Sequence, residues 1–498
     1  MEDDGTQGVV FPLTADGRRS TSALGRAVVA DALRPVDPAG ALGAERETNW
    51  RSGYLTHFRR LVEAGVPSKA AALSVAGDGL SSLHARMRLS GPGGTETELD
   101  AVLSAPAKAS FATLTVPGAG ERETELSLPY RGERLRGDAL ARQLETWVSG
   151  GVIEPSCAEA VKEVAAHPEW LRLPGRTVIA LGAGAEVGPL EVLLRWGVRV
   201  AGVDLPVPAV WERVLRMARQ GAGELLVPVS QEARVAPDPD GGDEAIARWA
   251  GLNLAREVPD AADWLAGLDG PLVLGNYVYA DGGANVAVCA AADALTMRLQ
   301  AARGDVALAF LATPTDVFAV PADAVAYSAH AYAARSRAAK LAGGPLRVVS
   351  RGRLLRRAYV PGADPGINDS QVPQQGPNYA LAKRLQRWRA TVAREAGTTV
   401  SLNVAPPTRT RSVTKNRLLA AAYAGAHRFG AEVFEPATTR VLMAALLVRD
   451  MQATGPLHAQ PWQDEAHAAA HGGLWRIAYE PRSALALAAL LGYRAARR

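Results

Sequence analysis

TVIALGAGAEVGPLEVLLRWGVRVAGVD, residues 177 to 204, decides the fold class of this chain. Thr177 to Leu181 is a short apolar run, as expected of a strand buried on both faces of a parallel sheet. Gly182, Gly184 and Gly188 make a tight turn, Pro189 to Trp196 reads as a helix stopped by Gly197, and Val198 to Val203 reads as a second strand ending at Asp204. Strand, Gly-rich turn, helix, strand and acidic residue in this order form a nucleotide-binding βαβ unit. Glycines let the backbone approach a pyrophosphate, and the helix N-terminus stabilises its charge. Asp204, 22 residues after Gly182, stands where a carboxylate accepts from a ribose hydroxyl.

Downstream, the alternation continues. Glu224 to Ser230, Leu272 to Asn276 and Val306 to Ala312 read as strands, with helices at Glu244 to Ala250, Asp260 to Leu268 and Asn285 to Leu299. A loop rich in Pro, Asp and Gly runs to about residue 243. Strands alternating with helices predict an α/β fold with a doubly wound parallel sheet of Rossmann type. Strand ends in such a sheet face the ligand crevice, which makes Asn253 and Asn276 candidate cofactor contacts.

The second decisive stretch is Gln374 to Thr410, QQGPNYALAKRLQRWRATVAREAGTTVSLNVAPPTRT. Asn378 and Tyr379 open a helix that ends near Gly397, and the strand Thr398 to Val404 runs into a Pro-Pro turn. Tyr379 and Lys383, four apart, share one helix face. An ammonium beside a phenol favours the phenolate, so the Tyr379 pKa is expected to fall toward the range useful for proton transfer. With 11 tyrosines and six lysines in the chain, random placement gives roughly 0.1 such pairs. Between Asp316 and this stretch, residues 316–375 hold an Ala-rich helix (Ala322 to Leu341), the apolar stretch Leu346 to Ser350 and a Gly/Pro/Asp loop, and read as a substrate lid.

Upstream, residues 1 to about 40 read as an irregular arm with an acidic start, followed by helical spacing from Thr48 to Leu89 with Ser68 as an N-cap. Ser110 to Val116 and Glu123 to Tyr130 read as a hairpin-like pair around Pro117-Gly118-Ala119-Gly120, and Leu135 to Ser149 and Cys157 to Ala166 as helices. The expected organisation is a smaller mixed α+β N-terminal domain over residues 1–150 and a Rossmann-type domain over 151–498. After Thr410, helices are expected at Ser412 to Phe429 and Ala437 to Arg449, before a mixed tail.

The net charge of +4 comes from interspersed Arg, Glu and Asp without a basic block, so no nucleic-acid partner is expected. Cys157 and Cys289 supply no disulfide framework, and His458, His467 and His471 lack carboxylates at ligand spacing, so no metal is expected. The start MEDDGTQG lacks a signal pattern and Ala484 to Gly492 is too short to span a bilayer, which reads as a cytoplasmic protein without a membrane partner.

These residues resemble the short-chain dehydrogenase/reductase family from residue 177 to about 450, with the first part of the chain as an extra N-terminal domain. Leu181 to Gly188 is similar to the family's Thr-Gly-Ala-Gly-x-Gly-Ile-Gly turn. Asn253-Leu254 stands at the pair that touches adenine, and Leu272 to Asn276 resembles the strand entering the Asn-Asn-Ala-Gly motif. Tyr379 and Lys383 match Tyr-x-x-x-Lys, and Asn403 to Thr410 resembles the Pro-Gly stretch with its downstream Thr. Phe434-Glu435-Pro436 with the following helix resembles a late family segment.

The resemblance implies a nicotinamide-dependent oxidoreductase interconverting a secondary alcohol and a ketone, with Tyr379 as acid/base and Lys383 as its partner. It further implies Asn285 as a relay residue and a hydroxyl side chain orienting the substrate, for which Thr313 and Thr315 at a strand end, Ser350 after an apolar run and Ser370, nearer on the inserted loop, are the candidates. Implied cofactor contacts are Gly182, Gly184, Glu186, Val187, Gly188, Asp204, Leu205, Asn253, Leu254, Asn276, Lys383, Pro406, Thr408 and Thr410. Asp204 favours NAD over NADP by repelling a 2′-phosphate. The implied partner is a small carbonyl or alcohol, and the family's usual assembly is a homo-oligomer.

Three departures from the family pattern stand out. Glu186 takes the place of the middle glycine, Pro407 replaces Gly, and Gly275-Asn276-Tyr277-Val278 differs from Asn-Asn-Ala-Gly. They keep a second reading open, a degenerate dehydrogenase fold acting in a non-redox reaction or as a binding scaffold. A third is an S-adenosylmethionine-dependent methyltransferase, which shares the Gly-rich turn and the acidic residue but has no role for Tyr379 and Lys383.

Overall fold

The computed structural model describes residues 7–231, 242–452 and 458–494. The acidic start, most of the loop before residue 243 and the extreme tail lie outside them. In chain order, the elements that position the site begin with helices α1 (Thr21–Leu33), α2 (Trp50–Gly65) and α3 (Lys69–Arg86). Next come strand β1 (Phe111–Pro117), β2 (Thr177–Leu181), β3 (Arg199–Val203), helix α4 (Pro208–Gln220) and β4 (Glu224–Ser230). The chain continues through β5 (Leu272–Asn276), α5 (Gly283–Ala302), β6 (Val306–Ala312), β7 (Val317–Val320) and β8 (Gly366–Asp369). Helix α6 (Gly376–Glu395), β9 (Val400–Val404) and helix α7 (Pro436–Asp450) follow.

Seven strands form the central sheet in the order β9-β6-β5-β2-β3-β4-β1. All neighbours are parallel except β1, which runs antiparallel to β4 at the edge. The six parallel strands have the doubly wound Rossmann order, reversing between β2 and β5. Alternate side chains divide between the two faces. Ile179, Leu181, Leu274, Leu308 and Phe310 join one core with α3, α5 and α6, through Leu83, Leu295, Leu385 and Trp388. Val178, Ala180, Val200, Val273 and Ala309 join the other with α4 and α7, through Trp211, Leu215 and Leu442. Helices on both faces explain why the strands are continuous apolar runs.

Two upstream expectations are corrected. Residues 7–40 are not an irregular arm: Ser20 caps α1 by accepting from the Ala23 N–H, and Leu24, Val28, Val29 and Leu33 bury one face of it. Residues 110–130 do not form a hairpin with each other. Instead β1 pairs with β4 from Phe111↔Ser230 to Pro117↔Glu224, and Leu128–Tyr130 pairs with Glu133–Leu135. The glycines at 118 and 120 serve close backbone approach rather than a turn. A Cβ at Gly118 would lie 2.2 Å from the Gly221 carbonyl oxygen, and one at Gly120 would lie 2.1 Å from that of Gln220. Thus the first 150 residues supply the sheet's edge strand, and α1 and α3 share the core that covers one face of the sheet.

The inserted segment has its own closure. β7 and β8 pair antiparallel, with Val317 opposite Asp369 and Val320 opposite Gly366. The chain therefore leaves the tip of β6 and returns beside it before entering α6. Helices Ala322–Ala333 and Arg337–Val349 fill the excursion, so the apolar stretch near residue 348 is helical, with Val348 and Val349 exposed.

Candidate functional site

The parallel strands end on a common edge, and two groups of side chains collect there. The first surrounds Tyr379, near the start of α6. Thr313, just past the tip of β6, lines the same cleft as Tyr379, where its nearby hydroxyl works to lower the phenol pKa. Thr313 also shares a hydrogen bond of 2.8 Å with the Thr315 hydroxyl. The Tyr279 ring meets the Tyr379 ring edge-on, with centroids 6.3 Å apart. Tyr54 from α2, Thr313, Asp316, Gln371, Tyr379 and Lys383 line a small cleft.

The sequence pairs Tyr379 with Lys383 correctly in space but not in electrostatics. Lys383 Nζ donates to the Leu311 carbonyl (3.1 Å) and to Gln386 Oε1 (3.0 Å). Burial lowers the Lys383 pKa, and burial raises the Tyr379 phenol to about 12 despite the nearby Thr313 hydroxyl, which opposes it. The expected fall of the phenol is thus corrected: desolvation outweighs a lysine whose protons go elsewhere. Gln386 continues the chain of contacts, its Nε2 donating to Asn276 Oδ1 at 3.1 Å, so Asn276 at the tip of β5 is tied to Lys383 through one side chain.

Beneath the cleft, Asp316 is fixed by Arg384 (2.8 Å) and Arg387 (2.7 Å), and Arg387 also holds Glu465 through two hydrogen bonds of 2.7 and 2.6 Å. The two guanidinium groups keep the Asp316 carboxyl below its ordinary value although burial works against them. This buried network is neutral as a set, with two carboxylates and two guanidiniums.

The second group surrounds the Gly-rich turn. Gly182 has φ of +82°, and a Cβ there would lie 2.8 Å from the Tyr277 carbonyl oxygen, so the fold itself requires this glycine. Asp204, at the end of β3, accepts from the Gly184 N–H (2.8 Å) and from the Leu205 N–H (2.8 Å). Arg213 on α4 donates to the Gly184 carbonyl at 3.0 Å, which places a cation beside Asp204. Glu186 accepts from the Arg411 N–H at 2.9 Å, with Arg411 Nε at 3.5 Å. Because β9 and β2 are separated by β6 and β5, this contact means that the loop after β9 reaches back across the strand ends to the turn. Both Asp204 oxygens are thus engaged by backbone N–H groups, and a diphosphate drawn along the turn would meet the Glu186 carboxylate and its Arg411 partner.

Several other positions chosen from the sequence serve local structure. Asn253 closes its own turn, with Oδ1 accepting from the Ala255 N–H at 3.2 Å and its N–H donating to Glu257 at 2.6 Å. Asn285 is buried and accepts from the Ala280 N–H (3.1 Å), bracing the entry to α5 instead of facing Lys383. The Ser370 hydroxyl is buried on Asn368 Oδ1 at 2.5 Å and is not a wall of the cleft, where Thr313 is the hydroxyl beside Tyr379. Thr408 bonds the Pro406 carbonyl (2.8 Å) and the Thr439 hydroxyl (2.7 Å), and Thr410 pairs with Ser412 at 2.9 Å. Leu254 is buried, Leu205 is exposed, and Val187 and Gly188 continue the turn.

Sequence reading missed Gln386, Gln371 and Tyr54. Gln386 lies three residues after Lys383 on the same helix face, a spacing that could have revealed it. Tyr54 carries no such signal, because only tertiary packing brings α2 to the cleft. Among the described residues, no group of three or more His, Cys, Asp or Glu could hold a metal ion, and no helix is long and apolar enough to cross a membrane.

No family model and no curated protein matches the chain. Among solved structures, the terminal R domain from the myxalamid PKS-NRPS biosynthetic pathway is similar at 14% identity and a TM-score of 0.26, over 58% of this chain and 62% of that one.

Proposed function

We propose that this protein is a nicotinamide-dependent oxidoreductase that interconverts a carbonyl compound and its alcohol, with Tyr379 as the proton donor and acceptor. The observation that carries the reading is the cluster at the carboxyl edge of a Rossmann sheet, where Thr313, Tyr379 and Lys383, one turn along α6 from Tyr379, line a single cleft. The cofactor, when bound, supplies or takes the hydride. Tyr379 gives its proton to the substrate oxygen in reduction, Thr313 orients that oxygen and the phenol, and Lys383 holds the cofactor's sugar. Asp204 suits NAD, but Arg213 beside it offsets the carboxylate's charge, so the reading extends to NADP.

A second reading, a fold that binds no dinucleotide, is favoured by one observation: Glu186 and Arg411 join across the path of a diphosphate. Titration with NADH and NADPH, followed by calorimetry and nicotinamide fluorescence, separates the two. Under the first reading a nicotinamide binds, and Tyr379→Phe lowers carbonyl reduction by at least about 10²-fold while cofactor affinity stays within a factor of two. Wild-type turnover in that variant would remove Tyr379 from the mechanism. No binding of either cofactor would favour the second reading.

A further inference from the structure

Cations are interspersed along most of the chain, but residues 324–363 of the inserted segment hold eight Arg and Lys and no Asp or Glu. The whole chain carries only +4, so the remainder is net acidic and this segment concentrates positive charge. Four of these cations are engaged with the protein. The Arg335 guanidinium lies 3.3 Å from the centre of the Tyr332 ring and that of Arg357 lies 4.8 Å from it. Arg347 donates to the Tyr332 hydroxyl, and Arg356 pairs with Glu480. The other four, Arg337, Lys340, Arg351 and Arg353, are exposed and have no ion pair among the described residues.

The same stretch turns aliphatic side chains to the solvent. Val349 is 84% exposed, Val348 78%, Leu341 77% and Val360 74%, and no other large apolar side chain among the described residues exceeds 71%. In the helix Arg337–Val349 this follows from its attachment. Leu346 turns inward against Leu355, Tyr479 and Ala484. Leu341 and Val348, seven apart, therefore lie together on the opposite side, in line with Arg337. One face of the helix is pinned and the other is unpartnered.

Nucleic acid, an acidic protein and an anionic bilayer all attract cations, and the aliphatic side chains choose among them. A phosphodiester backbone is met by charge and hydrogen bonds, which would leave exposed valines in water. Protein interface cores favour aromatic residues and Met, which the outer face of this helix lacks. A bilayer takes aliphatic side chains of any shape into its acyl boundary and unpaired cations among its headgroups. We propose that the helix Arg337–Val349, with Arg351 and Arg353 just beyond it, is a docking surface for an anionic lipid bilayer. Leu341, Val348 and Val349 enter the headgroup boundary, and the four free cations pair with lipid phosphates and carboxylates. The helix has 13 residues, a length of about 20 Å, against a hydrocarbon core of about 30 Å. Attachment is therefore peripheral, with the helix in the plane of the surface.

The test is flotation of the full chain with vesicles of phosphatidylcholine alone, or with about 30% phosphatidylserine added. Binding should be at least about tenfold tighter to the anionic vesicles, and should weaken as salt screens the charges. Replacing two cations together, Arg351→Gln and Arg353→Gln, should weaken it about tenfold. Replacing two aliphatic side chains, Leu341→Ser and Val348→Ser, should do the same with Tm within about 2 °C of the wild type, because both are exposed. Binding to neither vesicle, equal binding to both, or binding that survives both paired changes would overturn the proposal. Loss in the arginine pair without loss in the aliphatic pair would overturn it too, since charge alone would then explain the face. Tighter binding of a DNA duplex or of polyglutamate, read by fluorescence anisotropy, would assign the face to nucleic acid or to an acidic protein instead. No cofactor enters these measurements, so their outcome is separate from that of the oxidoreductase reading.

Discussion

Thr313 and Tyr379 line the same cleft although 66 residues separate them in the chain. The β7–β8 pair makes this possible by bringing the ends of the inserted segment side by side, with Asp369 opposite Val317. If Thr313 orients the phenol and the substrate oxygen, Thr313→Val should lower kcat/KM for carbonyl reduction about 10²-fold, while Thr313→Ser should retain most of it. Steady-state kinetics with NADH or NADPH decide this, and unchanged turnover in the Val variant would exclude the role.

The pH profile follows from the direction of the Tyr379 shift. Burial holds the phenol up at about 12, so it is protonated throughout neutral pH. Reduction, which uses the protonated form, should show no titration of this group between about pH 6 and 9. Oxidation, which uses the phenolate, should rise about tenfold per pH unit over the same range. An oxidation rate that levels off near neutrality would mean that the phenol is not held up.

Glu186 supplies a prediction about cofactor affinity. Its carboxylate is engaged with Arg411 where a diphosphate would run, so like charges oppose binding. Glu186→Gln, which removes the charge and keeps the shape, should tighten NADH binding about three- to tenfold by calorimetry, with a larger effect at low salt. Unchanged or weaker binding would place the diphosphate elsewhere.

The attachment of the first helices is itself titratable. His84 on α3 bonds Asp293 Oδ2 and Asp100 Oδ1, each at 2.7 Å, and Arg389 on α6 holds both oxygens of Asp293 at 2.6 and 2.7 Å. Although burial opposes it, the two carboxylates raise the His84 pKa above 6.5. A raised histidine stabilises the fold fully below its unfolded value and loses that contribution as pH climbs through the folded one. Asp293 is lowered to about 2, so its share is present above 3.8 and is lost as pH falls toward 2. Thermal stability should therefore fall on both sides of a mildly acidic optimum, and His84→Gln should flatten the alkaline limb. Asp293→Ala should cost about 3 kcal/mol, because it leaves buried cations without a counterion. A Tm independent of pH from 5 to 9 would contradict the network.

The sequence by itself determined the Rossmann sheet, because central strands such as Thr177–Leu181, Leu272–Asn276 and Val306–Ala312 are covered on both faces and so read as mainly apolar runs. It determined the Tyr379–Lys383 face as well, since helix geometry fixes neighbours four residues apart. Tertiary structure alone decided what those residues experience. The phenol rises because burial acts on it from all sides, whereas sequence spacing reports only the lysine. Asn253, Asn285 and Ser370 were candidate site residues in the sequence, yet in the fold local backbone and side-chain partners engage them. Thr313, Tyr54 and Gln371 reach Tyr379 through strand pairing and packing between distant segments, and such long-range contacts leave no periodic trace in the chain.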